Sequence, residues 1–141
     1  MLVRLMYASR ARVALRPQDL GDILRESRSR NLAAGITGLL WHANGLFMQV
    51  LEGDRSSVNE LYRRIVGDRR HEGVELLAYH ETAERRFAGW TMGGVDVHQV
   101  NPALMLKYLP QPQLDLDALT AYAACALFDD LIASACVASR D

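Results

Sequence analysis

The sequence predicts an α+β fold in which one sheet is covered by helices on both faces. Three observations carry that prediction. Short strand-like apolar runs alternate with two stretches of helical periodicity. Asn44-Gly45 stands between two of the runs as a hairpin dipeptide. The strands are apolar on both of their faces, so the sheet needs two covers.

The first strand is Leu2 to Ser9 (LVRLMYAS). Side chains alternate along a strand, so Val3, Leu5 and Tyr7 share one face while Leu2 and Met6 lie on the other. Pro17 suits a first helical turn, and Leu20, Leu24, Ser27 and Asn31 follow at helical spacing up to Gly35. A second strand, Ile36 to His42, passes through Asn44-Gly45 into a third, Leu46 to Glu52, where Phe47, Gln49 and Leu51 share a face. The second helix is expected to begin near Ser57, with Glu60 completing a capping box. Its apolar stripe is Val58, Leu61, Tyr62 and Ile65, and Gly67 lies near its end. Glu75 to Tyr79 reads as a fourth strand and Trp90 to Val97 as a fifth, with Trp90 and Met92 on one face of it.

The order β-α-β-β-α-β-β defines a ferredoxin-like sandwich with one extra strand. Right-handed crossovers place both helices on one face and make the first and third strands central neighbours. The other face carries Leu2, Met6, Leu39, Trp41, Met48 and Val50. Its expected cover lies beyond Pro102, Pro110 and Pro112: a short helix over Ala103 to Tyr108, then an Ala- and Leu-rich helix from about Asp115 to Ala138, with Leu116, Leu119, Ala123, Leu127 and Leu131 in loose register. The expected organisation is a domain over residues 1–97 and a C-terminal helical extension over residues 98–141. The extension packs on the rear of the sheet, mediates output and oligomerisation, or does both.

Bulk properties exclude several classes. The chain has 141 residues, half of them hydrophobic, and a formal net charge of -1. That charge argues against a general nucleic-acid binder, and no apolar run approaches the roughly 20 residues that cross a bilayer. Arg4 interrupts the apolar N-terminus, which lacks a small-residue cleavage site and is not read as a signal peptide. Cys125 and Cys136 fall in one expected helix and suggest neither a disulfide framework nor a metal site; His42, His71, His80 and His98 lack ligand spacing. A cytoplasmic protein without nucleic-acid or membrane partners is expected.

Five polar positions then break the apolar pattern: Tyr7, Gln49, Asn31, Arg64 and Asp68. Tyr7 and Gln49 stand next to each other on the helix-covered face of the predicted sheet. Burying an unpaired amide costs roughly 2–7 kcal/mol, so Gln49 needs partners. Asn31 ends the stripe of the first helix, and Arg64 and Asp68 share a helix face with Leu61. Singly, each has an ordinary explanation: a Tyr bonded to backbone, a helix-end Asn, a surface pair worth about 0.3–0.5 kcal/mol. Together they suit a planar heterocycle held between the helices.

These residues also carry a family resemblance. Tyr7-Ala8-Ser9, the stretch from Ser29-Arg30-Asn31 through Ile36-Thr37-Gly38-Leu39-Leu40, Gly45 to Gly53 with its Phe47-Met48-Gln49-Val50-Leu51-Glu52, Asp68-Arg69-Arg70-His71, and Arg86-Phe87-Ala88-Gly89-Trp90-Thr91-Met92 resemble the BLUF domain, a blue-light sensor using non-covalently bound flavin. The match spans about Met1 to Val97, and the remainder is similar to the helical tail of short, effector-less members. The resemblance implies FAD between the two helices, with FMN or riboflavin as alternatives. It implies that Tyr7 is the light-driven electron and proton donor and that Gln49 is the switching amide. Light would leave Gln49 donating an added hydrogen bond to the flavin carbonyl, with a slightly red-shifted absorption. Asn31 would bond the flavin ring, with Arg64 and Asp68 at its edge and Arg70 or His71 toward the phosphate or adenine end. Ile23 and Phe47 join them as cofactor-binding positions, and Trp90 and Met92 are the strand-five residues that respond to light. Thr91 stands where the family often has Ser, and Leu32 where some members have a second Asn, which removes one implied flavin contact.

The chain lacks a Gly-rich phosphate cradle, so phosphate contact falls to arginines and discrimination among flavins is expected to be loose. No base, metal site or substrate cleft suggests turnover, and the chain is read as too short for a catalytic domain, so it is not expected to be an enzyme. Its implied partners are flavin, further copies of itself and an unidentified downstream protein. The alternative is a ferredoxin-like small-ligand or protein-interaction module without photochemistry, in which Tyr7 and Gln49 form a satisfied core pair. An acylphosphatase-type enzyme fits less well, because Ser9-Arg10-Ala11-Arg12-Val13 lacks the glycines of a phosphate loop.

Overall fold

The computed structural model describes residues 1–96, 99–133 and 137–138. Its elements are β1 (Leu2–Ala11), α1 (Pro17–Ala34), β2 (Thr37–Ala43), β3 (Leu46–Asp54), α2 (Arg55–Val66), β4 (His71–Glu81), β5 (Gly93–Val95), α3 (Pro102–Leu106), α4 (Ala121–Ala133) and β6 (Val137–Ala138). The ferredoxin-like α+β fold is the one observed. The strands run in the order β4-β1-β3-β2-β5-β6. Each helix of the β1–α1–β2 and β3–α2–β4 units crosses one intervening strand, which makes β1 and β3 antiparallel neighbours at the centre.

Local chemistry fixes the joints. Pro17 opens α1, and the N-cap backbone N–H of Arg16 donates to Asp19 Oδ2 at 2.9 Å. Gly35 closes the helix in the left-handed region at φ 68°, which glycine enters without a Cβ penalty. Asn44 and Gly45 both have positive φ, 54° and 71°, as a type I′ hairpin turn requires. At Gly38 a Cβ would lie 1.9 Å from the Val50 carbonyl oxygen, so only glycine lets β2 approach β3 there.

The β1–β3 register pairs Tyr7 with Gln49 and Arg4 with Glu52. Because side chains alternate, the first pair faces α1 and α2 and the second faces the rear. The front layer joins Val3, Leu5, Tyr7, Leu40, Phe47 and Leu51 to Leu24 of α1 and to Val58 and Leu61 of α2. The rear layer joins Met6, Trp41, Met48 and Phe87 to Leu114, Leu119, Leu127, Phe128 and Leu131, so the C-terminal segment packs on the sheet's second apolar face.

Several expected boundaries move. α2 starts at Arg55 with Asp54 as N-cap, not near Ser57, and Ser57 with Glu60 forms no capping box. Arg55 N–H donates to the Met1 carbonyl at 3.1 Å, and Ser56 Oγ donates to Asp54 at 2.8 Å. β5 is confined to Gly93–Val95, so Trp90 and Met92 are not on a strand. Their segment's carbonyls are taken by other donors: Gly38 N–H reaches Trp90 O at 2.9 Å, Asn31 Nδ2 reaches Thr91 O and Arg28 Nε reaches Met92 O, both at 3.1 Å. The last helix begins at Ala121 rather than Asp115, because Thr120 Oγ1 accepts from Ala123 N–H at 3.1 Å and caps it there. Val137–Ala138 pairs with β5 instead of continuing the helix. Val97, His98 and Cys136 lie outside the described residues.

Phe128 is fully buried, with its ring 6.4 Å from that of Trp41 and 6.5 Å from that of Phe87. Phe128→Ala is expected to cost about 3–5 kcal/mol in denaturant unfolding. Tyr122→Ala, at a position 89% exposed on the same helix, should stay within about 0.5 kcal/mol of the parent.

Candidate functional site

A pocket opens between α1 and α2 over the front of the sheet. β1 supplies Tyr7, β3 supplies Phe47 and Gln49, α1 supplies Ile23, Ser27, Arg30 and Asn31, and Asp68, Arg70 and His71 come from the turn into β4. Leu40, Leu61 and Ile65 complete apolar walls.

At its floor, the Tyr7 hydroxyl donates to Gln49 Oε1, and Gln49 Nε2 points at Met92 Sδ at 3.3 Å. Both side chains are nearly fully buried, Tyr7 at 4% and Gln49 at 5% exposure. Burial, and then the negative charge of Asp68, push the Tyr7 pKa well above its ordinary value near 10. The phenol is therefore neutral and a donor throughout the physiological range. One face of its surroundings is aromatic, with the Tyr62 ring at 5.9 Å and the His71 ring at 6.2 Å.

His71 is pinned from both sides, with Nδ1 2.7 Å from Ser9 Oγ and Nε2 2.5 Å from the Ile65 carbonyl. A carbonyl only accepts, so Nε2 carries a hydrogen. Asn31 is buried on the last turn of α1 and donates through Nδ2 to Thr91 O. A primary amide offers two donors and an acceptor oxygen, so this bond uses part of what Asn31 brings to the wall. At the mouth, Asp68 and Arg70 pair at 2.6 Å, and Arg70 also reaches Glu26 of α1 at 3.3 Å. The Arg70 guanidinium hydrogen-bonded to Asp68 pulls that carboxyl's pKa down to about 2.

The structure gathers Tyr7, Ile23, Asn31, Phe47, Gln49, Asp68, Arg70 and His71 at one pocket. It does not bring Arg64 there. That side chain is 59% exposed, pairs with Glu60 at 3.2 Å, and lines a neighbouring groove with Arg30 and Asn31. Asp68 lies past the end of α2 and pairs with Arg70, so the expected helix face shared by Arg64 and Asp68 does not form. Met92 packs into the front layer while Trp90 packs against the rear one, although strand spacing puts them on the same face. Leu32 is 76% exposed and lies off the pocket wall. Ser27 and Arg30 join the pocket beyond the expected site residues; Ser27 is the polar member of the α1 stripe, and Arg30 lies within the family-matching stretch but off that stripe.

Amides, a phenol and an ion pair set among apolar walls match a planar heterocycle with a polar edge, and the chemistry of this donor set fits a flavin ring. The family described as sensors of blue-light using FAD (BLUF) matches residues 2–93. This chain belongs to that family: it is a flavin-binding, blue-light-sensing BLUF protein. Among solved structures, BlsA in its photo-activated state superposes with a TM-score of 0.83 at 29% identity, covering 100% of this chain and 99% of that one. The dark-state structure of BlrB, a BLUF protein, gives 0.75 at 35% identity, covering 95% and 96%. A photoactivated adenylate cyclase subunit beta of Euglena gracilis is 40% identical over 92 residues, 64% of this chain and 11% of that protein. The chain thus spans about a tenth of the length of the curated relatives it matches. The 92 residues shared with the first of them amount to 11% of that protein, and the BLUF match in this chain spans residues 2–93. No described helix is long and apolar enough to cross a membrane.

The Asp68 pairing gives a pH prediction. Its folded pKa, near 2, lies below the unfolded value near 3.9, so the stability it contributes is present above about pH 4 and is lost as pH falls toward 2. Acid titration followed by circular dichroism should show Asp68→Asn losing less stability over that window than the parent protein.

Proposed function

We propose that this protein is a blue-light photoreceptor in which Tyr7 and Gln49 carry the primary event beneath a flavin bound between α1 and α2. The observation that carries the reading is the chain of buried contacts from Tyr7 Oη to Gln49 Oε1 and from Gln49 Nε2 to Met92 Sδ. When bound and excited by blue light, a flavin supplies a one-electron oxidant and a proton acceptor.

Tyr7 is suited to give up an electron and a proton together to the excited flavin and to take both back when the charges recombine. Burial and the Asp68 charge disfavour its phenolate, so proton loss ahead of electron loss is suppressed. Gln49 then responds without holding a net charge. Its amide has a donor end and an acceptor end, and turning or tautomerising it exchanges them. The bond given up on the Met92 side is a weak one, since a thioether sulfur is a poor acceptor. The two amide arrangements therefore differ by little on that side, a condition a reversible switch needs. Asn31 holds the ring through its remaining hydrogen-bonding capacity, Ile23 and Phe47 pack against it, and Asp68 with Arg70 and His71 forms the polar edge.

FAD is the cofactor in this reading. Arg30 and Arg70 at the pocket, with Arg64 on the adjoining groove, are the cations available to its phosphates. Without a glycine-rich cradle this arrangement also admits FMN or riboflavin. A Klebsiella pneumoniae protein solved with FMN and cyclic diGMP supports that breadth, with a TM-score of 0.67 at 35% identity over 73% of this chain and 28% of that one. Residues 1–97 are the photosensory unit in this reading. Residues 98–141 form its output and oligomerisation extension, passing the signal from Met92 and Trp90 through β5 and the rear helices to a downstream protein.

Purified protein reconstituted with FAD should be yellow and should show a reversible red shift of its flavin bands under blue light. Gln49→Leu should bind flavin and lose the red shift; a wild-type shift in that variant would remove Gln49 from the mechanism. Tyr7→Phe should abolish the photocycle while retaining flavin. Because the Tyr7 pKa is raised, the amplitude of the red shift should be flat from about pH 6 to 9, and a loss centred below pH 9 would contradict the neutral-phenol account.

A further inference from the structure

We infer that Glu52, on the sheet face opposite the pocket, is a positioning residue that sets Met92 against Gln49. The inference rests on the photoreceptor reading above. Glu52 has no solvent exposure, although it lies on a strand whose rear neighbours are Met48 and Val50. Three hydrogen bonds and an ion-pair contact hold its carboxylate. Arg4 Nε and Nη2 reach Oε2 at 2.8 and 2.7 Å, the backbone N–H of Arg86 reaches Oε2 at 2.9 Å, and that of Phe87 reaches Oε1 at 2.7 Å.

The last two bonds are the ones that matter for the pocket. They fasten the irregular segment that runs from β4 to β5 and contains both Trp90 and Met92. Arg85 clamps the same segment from outside, with Nη2 2.7 Å from Gly35 O and Nη1 3.0 Å from Thr37 Oγ1. Trp90 N–H donates to Phe87 O at 3.0 Å, and Trp90 O accepts from Gly38 at 2.9 Å. The segment thus climbs in a few residues from the Glu52 anchor on the rear to Met92 Sδ on the front. Its far end is held at β5, where Gly93 pairs with Leu39, and by Arg28 on the Met92 carbonyl; its near end has no strand partner. Two backbone N–H groups bound to one buried carboxylate supply a fixed point there. The same segment touches the C-terminal helix, since Arg86 Nη1 pairs with Asp129 of α4 at 2.7 Å and Phe87 packs on Phe128.

Glu52→Gln keeps the shape of the side chain. It replaces one acceptor oxygen with a donor NH2 facing Arg4 or a backbone N–H. The test measures flavin content, red-shift amplitude and the rate of dark recovery in wild type, Glu52→Gln, Met92→Leu and the double variant. Expected is normal flavin binding in Glu52→Gln with dark recovery changed at least several-fold, and no further change on adding Glu52→Gln to Met92→Leu. Recovery equal to wild type, or an equal effect in the Met92→Leu background, overturns the inference, because a purely structural role would lower the melting temperature without acting through Met92. If Glu52→Gln does not fold, Arg85→Met loosens the same segment from its solvent side, and unchanged recovery there overturns the inference. A wild-type protein with no red shift would instead overturn the photoreceptor reading itself.

Discussion

The antiparallel register of β1 on β3 is the constraint on which the rest of the structure depends. It sets Tyr7 opposite Gln49 on the front face and, three residues along, Arg4 opposite Glu52 on the rear face. A slip of one residue would turn every one of these side chains to the wrong side. β3 is itself fixed against β2 by a hairpin whose two positive-φ residues admit one loop length, and by a glycine at position 38 where any Cβ would strike β3. The register is held as well by two apolar layers, one against α1 and α2 and one against α4. Sheet geometry, not loop flexibility, positions the Tyr7–Gln49 pair.

Two kinds of buried polarity follow from that register. On the front, a neutral phenol and a neutral amide share a hydrogen bond, and the amide's other end meets a thioether. On the rear, a carboxylate is fully satisfied by a guanidinium and two backbone donors. Breaking one partner of such an ion pair leaves a charge without solvent or counterion, at about 3–5 kcal/mol. The rear cluster is therefore stiff, whereas the front one holds the amide nitrogen by only a weak bond to a thioether. A light-sensing site needs both: a fixed frame, and within it one group with two nearly equivalent settings.

The fold was legible in the sequence because its signals are local. Period-two runs, the Asn44-Gly45 turn, Pro17 and Gly35 each act on their immediate neighbours, and all of them agree. The pocket was legible in large part for a related reason: Tyr7, Gln49 and Asn31 stood out as polar residues in apolar rows, and the motif spacing around them matched the family. What was not legible depends on contacts distant in sequence. Asp68 finds Arg70 rather than Arg64 because α2 ends at Val66, and no helical spacing could show that. Trp90 and Met92 part to opposite layers because Gly38, Asn31 and Arg28 capture the carbonyls around them. Glu52 at the end of an apolar strand reads as an ordinary polar terminus, and its partners Arg4, Arg86 and Phe87 give no periodic sign of it.

Gln49, with its oxygen on Tyr7 and its nitrogen on Met92, is proposed to be the group that switches. The side-chain amide of Gln49, isotope-labelled in the flavin-loaded protein and followed by NMR before, during and after blue illumination, tests it most directly. The Gln49 amide resonances are expected to move under light together with the flavin red shift and to return at the same rate in the dark. A full and reversible red shift with the Gln49 resonances unmoved would contradict it.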